Sequence, residues 1–298
     1  MSRRAEVESR AGKPRVLPRA PQELTSQRLV RLGEGIGKVV YASPQWVVKR
    51  ERTPSEILAL IVVWKLLRSL ERHTPGNFAR RLLEHPSRQI RLLRVIVHAL
   101  VLVVPSGVWF TSHAGEMWRI YRKRDKRGEG LARQRLAGTE LMPEIVTFPP
   151  AKVRVGGWPG WLTVSEATER VESTLYQRLN ELAAAGNYEE MERWLARLLD
   201  TRRQGWQHGV FSIDSHLKNY GVTGDRIVLL DTGGLTNQWH EIESRLSYED
   251  EVEQPHLQLG LGHVLHDRPD VAGRLNLRWK SVVNRDEVLR NWPTDIPA

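Results

Sequence analysis

The segment from His208 to Gly234 constrains this chain more than any other. It reads His208-Gly-Val-Phe-Ser-Ile-Asp214-Ser-His-Leu-Lys-Asn219-Tyr-Gly-Val222, then Gly224-Asp-Arg-Ile-Val-Leu-Leu-Asp231-Thr-Gly-Gly234. The amphipathic run Glu189–Arg203 before it predicts a helix. A polar loop then carries Asp214 and Asn219, five positions apart. A short strand near Tyr220, a turn at Thr223-Gly224-Asp225 and the apolar strand Arg226–Leu230 follow. Asp231 stands at the end of that strand, before two glycines. A carboxylate released from a strand end into a glycine turn can reach a metal. An Asp and an Asn on a nearby loop can supply a base and a second oxygen ligand. Hard oxygen ligands of this kind suit magnesium carrying substrate phosphates.

The rest of the chain places strands before helices. Val30 to Arg50 alternates and is rich in glycine and valine, which predicts two or three short strands with a tight glycine turn. Pro54 and Ser55 open a helix with Glu56 in its first turn and the apolar stripe Ile57, Leu60, Ile61, Trp64, Leu67 and Leu70. More helix is expected from about Phe78 to Leu102. Val108–Arg122 reads as a hairpin turning near His113-Ala114-Gly115, and Glu129–Leu136 as helix. Pro143–Val155 and Trp161–Ser165 read as strands, and the chain from about Gln238 as helix and loop. This order indicates an α+β fold, sheet-rich first and helical later. The 298 residues suffice for one two-lobed domain or two small ones.

A second motif lies in the early strands: Arg31-Leu-Gly33-Glu-Gly35-Ile-Gly37-Lys-Val-Val-Tyr41, then Trp46-Val-Val-Lys49. Closely spaced glycines let backbone amides approach phosphates, and a strand lysine binds them as a point charge. The run is not a Walker A loop, because Gly37-Lys38 is followed by Val39 where Ser or Thr is required.

The pattern Asp-x4-Asn, then a strand ending in Asp-x-Gly, resembles the catalytic and metal-binding loops of the protein-kinase-like superfamily. That superfamily includes protein kinases, aminoglycoside phosphotransferases, RIO-type kinases and lipopolysaccharide-core sugar kinases. The resemblance covers roughly Leu32 to Leu235. It implies a two-lobed fold with a sheet-rich N-lobe over 23–165 and a small helical C-lobe over 166–298. A basic helical insertion would occupy about 55–105, and residues 1–22 a disordered lead-in. It implies ATP and Mg2+ as cofactors, Asp214 as catalytic base, and Asn219 and Asp231 as metal ligands. Gly33, Gly35 and Gly37 would form the nucleotide hairpin and Lys49 would pair the phosphates. The partner glutamate is Glu129 or Glu56, and Lys123 is a rival lysine if Glu129 takes the role. Trp161-Leu-Thr-Val-Ser-Glu166-Ala167 resembles the strand entering the interlobe hinge, where backbone around Glu166 to Thr168 would meet adenine. Two positions depart from the family: Ser212 stands where it has His, and Thr232 where it has Phe.

Charge then bears on the acceptor. The net charge is +10, and Arg50–Arg135 holds 18 Lys or Arg against 7 Asp or Glu. Such a surplus favours an anionic partner: a membrane surface, a nucleic acid or a phosphorylated substrate. The apolar run Val95–Val104 is too short for a bilayer span, which takes roughly 20 helical residues. It reads as a buried helix, or as an interfacial one with Arg88, Arg91 and Arg94 at headgroups. Residues Met1–Pro21 carry no apolar core of a secretory signal. The lack of cysteine excludes disulfides and thiolate-bound zinc and suits a cytoplasmic setting. His263 and His266 are spaced i and i+3, but no third ligand accompanies them.

The expected activity is transfer of the ATP γ-phosphate to a hydroxyl of a small molecule or glycan. Only 64 residues follow Gly234, and no activation segment ending in Ala-Pro-Glu is present, which argues against a protein acceptor. By analogy with the lipopolysaccharide-core kinases, the acceptor would be an anionic or lipid-linked glycan, met at the inner face of an anionic membrane. The alternatives are a pseudokinase scaffold, a protein kinase, and a nucleic-acid-binding protein using the basic region. No recognised nucleic-acid motif supports the last.

Overall fold

The computed structural model describes residues 14–34, 37–53, 55–57, 106–157 and 159–294. Residues 1–13, Gly35, the helical readings over 58–105 and the Val95–Val104 run lie outside them. The fold is α+β.

After strand β1 (Arg15–Val16) and helix α1 (Gln22–Ser26) come three strands in succession: β2 (Arg28–Glu34), β3 (Lys38–Ala42) and β4 (Trp46–Glu51). They pair antiparallel, with Val40 opposite Lys49 and Lys38 opposite Glu51. Facing residues of paired strands share a side of the sheet, and side chains alternate along each strand. Lys38, Val40 and Lys49 therefore stand on one face, and buried Val39, Tyr41 and Val48 on the other.

β5 (Ile145–Val155) and β6 (Trp161–Glu169) complete the sheet. β6 joins β4 through Trp46↔Glu169 and Val47↔Thr168, and β5 lies antiparallel to β6. β5 also meets β2 in parallel at Arg28↔Arg154 and Leu29↔Val155. The order β2-β3-β4-β6-β5 thus returns to β2 and closes a ring, with β1 added on β5. Pro149 and Pro150 fall where the β5–β6 register shifts, since proline has no N–H for the ladder. Leu24, Leu29, Tyr41, Val146, Phe148 and Val155 fill this first core.

Helix α2 (Ser106–Arg135) runs unbroken for 30 residues. The hairpin expected over Val108–Arg122 does not form. Its β-branched and aromatic residues favour strand locally, but the C-terminal turns of the helix bury Leu131 and Ala132, followed by Leu136, and tertiary packing outweighs a weak local preference.

The remaining chain builds the second core. β7 (Ser173–Thr174) leads into α3 (Leu175–Ala184), which Thr174 and Gln177 close with a capping box. α4 (Tyr188–Gln207) starts at the Asn187 cap and buries Met191, Trp194, Leu198 and Trp206. After the site loops come α5 (Trp239–Glu251), α6 (Pro255–Gln258), α7 (Pro269–Val282) and α8 (Arg285–Asn291). Ile242, Leu246, Trp279 and Val288 join the same core. Among the described residues, no helix is long and apolar enough to cross a membrane.

Candidate functional site

Two strand pairs hold the acidic side chains together. β8 (Phe211–Ser212) pairs antiparallel with β11 (Leu235–Thr236), and β9 (Tyr220–Thr223) with β10 (Arg226–Leu229). Loop backbone is tied across them. The Ile213 amide donates to the Gly234 carbonyl at 2.9 Å, and the Asn219 carbonyl accepts from the amides of Leu230 at 2.8 Å and Asp231 at 3.4 Å. Asp214, Asn219 and Asp231 therefore come from three loop positions to one place. Gly234 packs flat on Asp214, because a Cβ there would stand 3.1 Å from the Asp214 Cβ.

Short local bonds aim the carboxylates. Asp214 Oδ1 accepts the His216 amide at 3.1 Å, and Asp231 Oδ1 accepts the Gly233 amide at 3.0 Å. Both residues remain solvent-exposed. Ser212 has a role of its own: its hydroxyl donates to the Asp214 carbonyl at 2.9 Å.

Beneath this loop lies a support that sequence reasoning missed. Arg202 of α4 is 4% exposed, and among the described residues no carboxylate comes within salt-bridge distance of it. Its guanidinium donates to the Ser212 carbonyl at 3.1 Å and to the hydroxyls of Ser215 and Tyr220 at 3.3 Å each. It is flanked by the rings of Phe211 and Trp279. Buried Glu249 stands on the other side of Ser215, held by Arg245 at 2.6 Å and by the Trp279 indole at 3.3 Å. Arg202 thus grips the chain on both sides of Asp214. It falls within a run of basic residues on an amphipathic helix, and nothing in that pattern distinguishes it from a solvated arginine.

The opposite wall comes from the sheet and α2. Lys49 reaches over to the Leu230 carbonyl, the residue before Asp231, with its Nζ donating at 2.6 Å. The side chain is solvent-accessible yet set deep among protein atoms. Burial, then the nearby Lys38 charge, lowers its pKa against the pull of Asp231, Glu129 and Glu166. The lysine that Glu129 pairs is Lys38, at 2.5 Å, with Asp125 at 2.9 Å on the same ammonium. Burial opposes that charge, but the bonds from Glu129 and Asp125 outweigh it and hold Lys38 above the ordinary lysine range. Burial pushes the Asp125 carboxyl up, and Lys38 offsets this only in part.

The other candidate positions separate. Glu56 pairs with Arg50 at 2.8 Å and accepts the Thr53 amide at 2.8 Å, so it caps its own helix start and does not meet Lys49. Lys123 is exposed on α2. Gly33 is exposed at the β2 irregularity, and the Gly37 carbonyl accepts the Arg52 amide at 2.8 Å. The strand expected to end at Ser165 continues to Glu169. The backbone of Glu166, Ala167 and Thr168 pairs with β5, and that of Thr168 also with β4, so the stretch expected to meet adenine lies within the strand. Ala167 is buried in the first core, while the Glu166 side chain meets Arg133 of α2 at 2.7 Å.

α2 presses closely on the loop after Asp231. A Cβ on Gly128 would lie 2.1 Å from the Thr232 carbonyl oxygen, and one on Gly233 would lie 2.0 Å from Asp125 Oδ1. At Gly128 the obstacle is backbone and only glycine fits, whereas a side chain at Gly233 would have to turn the Asp125 carboxylate aside. A sequence signal for this wall did exist: Asp125 and Glu129 are four apart, hence on one helix face, with Gly128 between them.

Among the described residues, no group of three or more His, Cys, Asp or Glu could hold a metal by itself. Asp214, Asn219 and Asp231 offer only oxygen donors. That set fits a hard cation that draws its other ligands from phosphate and water.

Together these features define an α+β protein with oxygen donors on one side, and two lysines on the other, of the junction between its two cores. Comparison with protein-family models, curated proteins and solved structures returned no significant match.

Proposed function

We propose that the chain is an ATP- and Mg2+-dependent phosphotransferase of the protein-kinase-like type, with a hydroxyl-bearing acceptor. One observation carries the reading. Asp214, Asn219 and Asp231 are gathered by paired strands, and Lys49 from the other core donates to the carbonyl beside Asp231. A strand order of β2-β3-β4-β6-β5 with a helix inserted before β5 supports the two-lobed reading.

In this reading Asp214 accepts the proton of the acceptor hydroxyl, and its exposure leaves room for that hydroxyl. Asn219 and Asp231 would hold the magnesium, which would supply charge neutralisation to the phosphates. Lys49 positions the phosphates as a point charge. The acceptor is a small molecule or glycan. A pseudokinase is the second reading, favoured by the pairing of Glu129 with Lys38 in place of Lys49.

The test is thermal stabilisation by ATP with and without magnesium. A magnesium-dependent rise in melting temperature for the wild type, lost in Asp231→Asn, is the expected result. No shift at millimolar ATP would remove the reading for this chain.

A further inference from the structure

We infer that Lys38 is a second phosphate-binding residue, forming with Lys49 a two-lysine clamp for the polyphosphate of a nucleotide. The inference rests on the phosphotransferase reading of the same site, and it adds a residue whose role the glycine motif alone does not assign.

The placement comes from the register. Val40 faces Lys49 across β3 and β4, and Lys38 is two positions from Val40, so both ammonium groups leave the same face of the sheet. Lys38 directly follows Gly37, the last glycine of the turn expected to cover phosphates. Its ammonium is close enough to Lys49 for its charge to disfavour that of Lys49. Two converging cations repel, and an anion between them relieves the repulsion.

Asp125 and Glu129 take two of the three N–H donors of Lys38, and the third remains for a phosphate oxygen. They orient its ammonium at 2.9 and 2.5 Å, from one face of α2. The Asp125 carboxylate also abuts Gly233, two residues beyond Asp231. The Asp125 carboxylate thus stands between the Lys38 ammonium and the loop after Asp231, and brings Lys38 to the edge of the region where the phosphates would lie. Lys49 has no carboxylate within salt-bridge distance among the described residues, and it spends one N–H on the Leu230 carbonyl. An ammonium carries three N–H donors, so two remain for phosphate oxygens. The two lysines then divide the work, one oriented by α2 and one by the strand before Asp231.

The experiment titrates the full chain with Mg·ATP and, separately, with inorganic triphosphate, by calorimetry. Wild type, Lys38→Gln and Lys49→Gln are compared, with melting temperature without ligand as the check on folding. Lys38→Gln leaves Asp125 without its cation, so Lys38→Gln/Asp125→Asn is measured alongside to remove that buried charge. Each lysine substitution is expected to weaken both ligands by roughly tenfold, and the double variant to bind like Lys38→Gln. Binding of both ligands within twofold of wild type in the folded Lys38 variants would overturn the clamp and leave Lys38 a strut for α2. Lys38-dependent binding of triphosphate but not of ATP would keep the clamp and remove the nucleotide reading. Binding of neither ligand by the wild type would remove both.

Discussion

The two walls of the site are built on opposite terms. On the sheet side, Lys38 and Lys49 project from central strands of a closed ring, and their charges are strongly coupled to burial and to neighbours. On the helical side, Asp214 and Asp231 are exposed on loops and, among the described residues, accept short local bonds from the His216 and Gly233 amides. Yet that acidic side rests on a buried cation, Arg202, only 4% exposed. A strand gives a lysine a fixed direction without further help. A loop carboxylate needs its backbone fixed from below, and here a buried guanidinium with aromatic neighbours does so.

The largest expected effect tests that difference directly. Arg202→Ala removes two hydrogen bonds to the Asp214 loop and one to Tyr220, with a void beside Phe211 and Trp279. Urea unfolding should show a loss on the order of 3 kcal/mol. A loss below about 1 kcal/mol would mean that the acidic loop holds its own shape.

Gly128→Ala comes next and probes the seam between the walls. Its Cβ meets backbone at the Thr232 carbonyl, so α2 or the loop must move. Overpacking of this kind costs about 1–3 kcal/mol, and triphosphate affinity should fall with it because Asp125 and Glu129 shift as well. Unchanged stability and affinity would show that the two walls are not in register through α2.

A smaller effect concerns pH on the sheet side. The pKa of Lys49 is lowered from 10.5, so the folded protein releases this proton before the unfolded chain does. Between the lowered value and 10.5 the unfolded state binds more protons, and stability contributed at this position rises with pH. Triphosphate binding should move the other way, weakening as Lys49 loses its charge, and this limb should vanish in Lys49→Gln. Calorimetric titrations across alkaline pH would decide.

The smallest effect belongs to Glu56, outside both walls. Its hydrogen bond from Arg50 holds the carboxyl at about 2, well below 4.5. The stabilisation is present above 4.5 and is lost as pH falls toward 2. Because the pair is partly solvated, Glu56→Gln should cost about 0.5 kcal/mol at neutral pH and flatten the acid limb of a thermal-melt profile.

Much of the acidic wall was legible before any coordinates. Strand β9, the turn at Gly224 and strand β10 follow from alternating apolar residues and turn chemistry over a few positions. The same holds for α4, whose stripe repeats at helical spacing. Other readings failed for identifiable reasons. Val108–Arg122 looked like a hairpin because β-branched residues carry a local preference, which the packing at the far end of a 30-residue helix overrode. The strand read as ending at Ser165 runs on to Glu169 because nothing local reveals the pairing with β5, and at Thr168 with β4, that extends it.

What the amino-acid order determined alone is therefore short-range: the strand–turn–strand of β9 and β10, the helix α4, and the spacing of the three oxygen-bearing side chains between Asp214 and Asp231. The tertiary structure decided the partners. Lys38 and Glu129 are 91 positions apart, and Lys49 and Leu230 are 181 apart. No periodicity spans such distances. Which lysine meets the glutamate depends on how the closed sheet sets β3 and β4 against α2, and that arrangement exists only once two separate hydrophobic cores have formed.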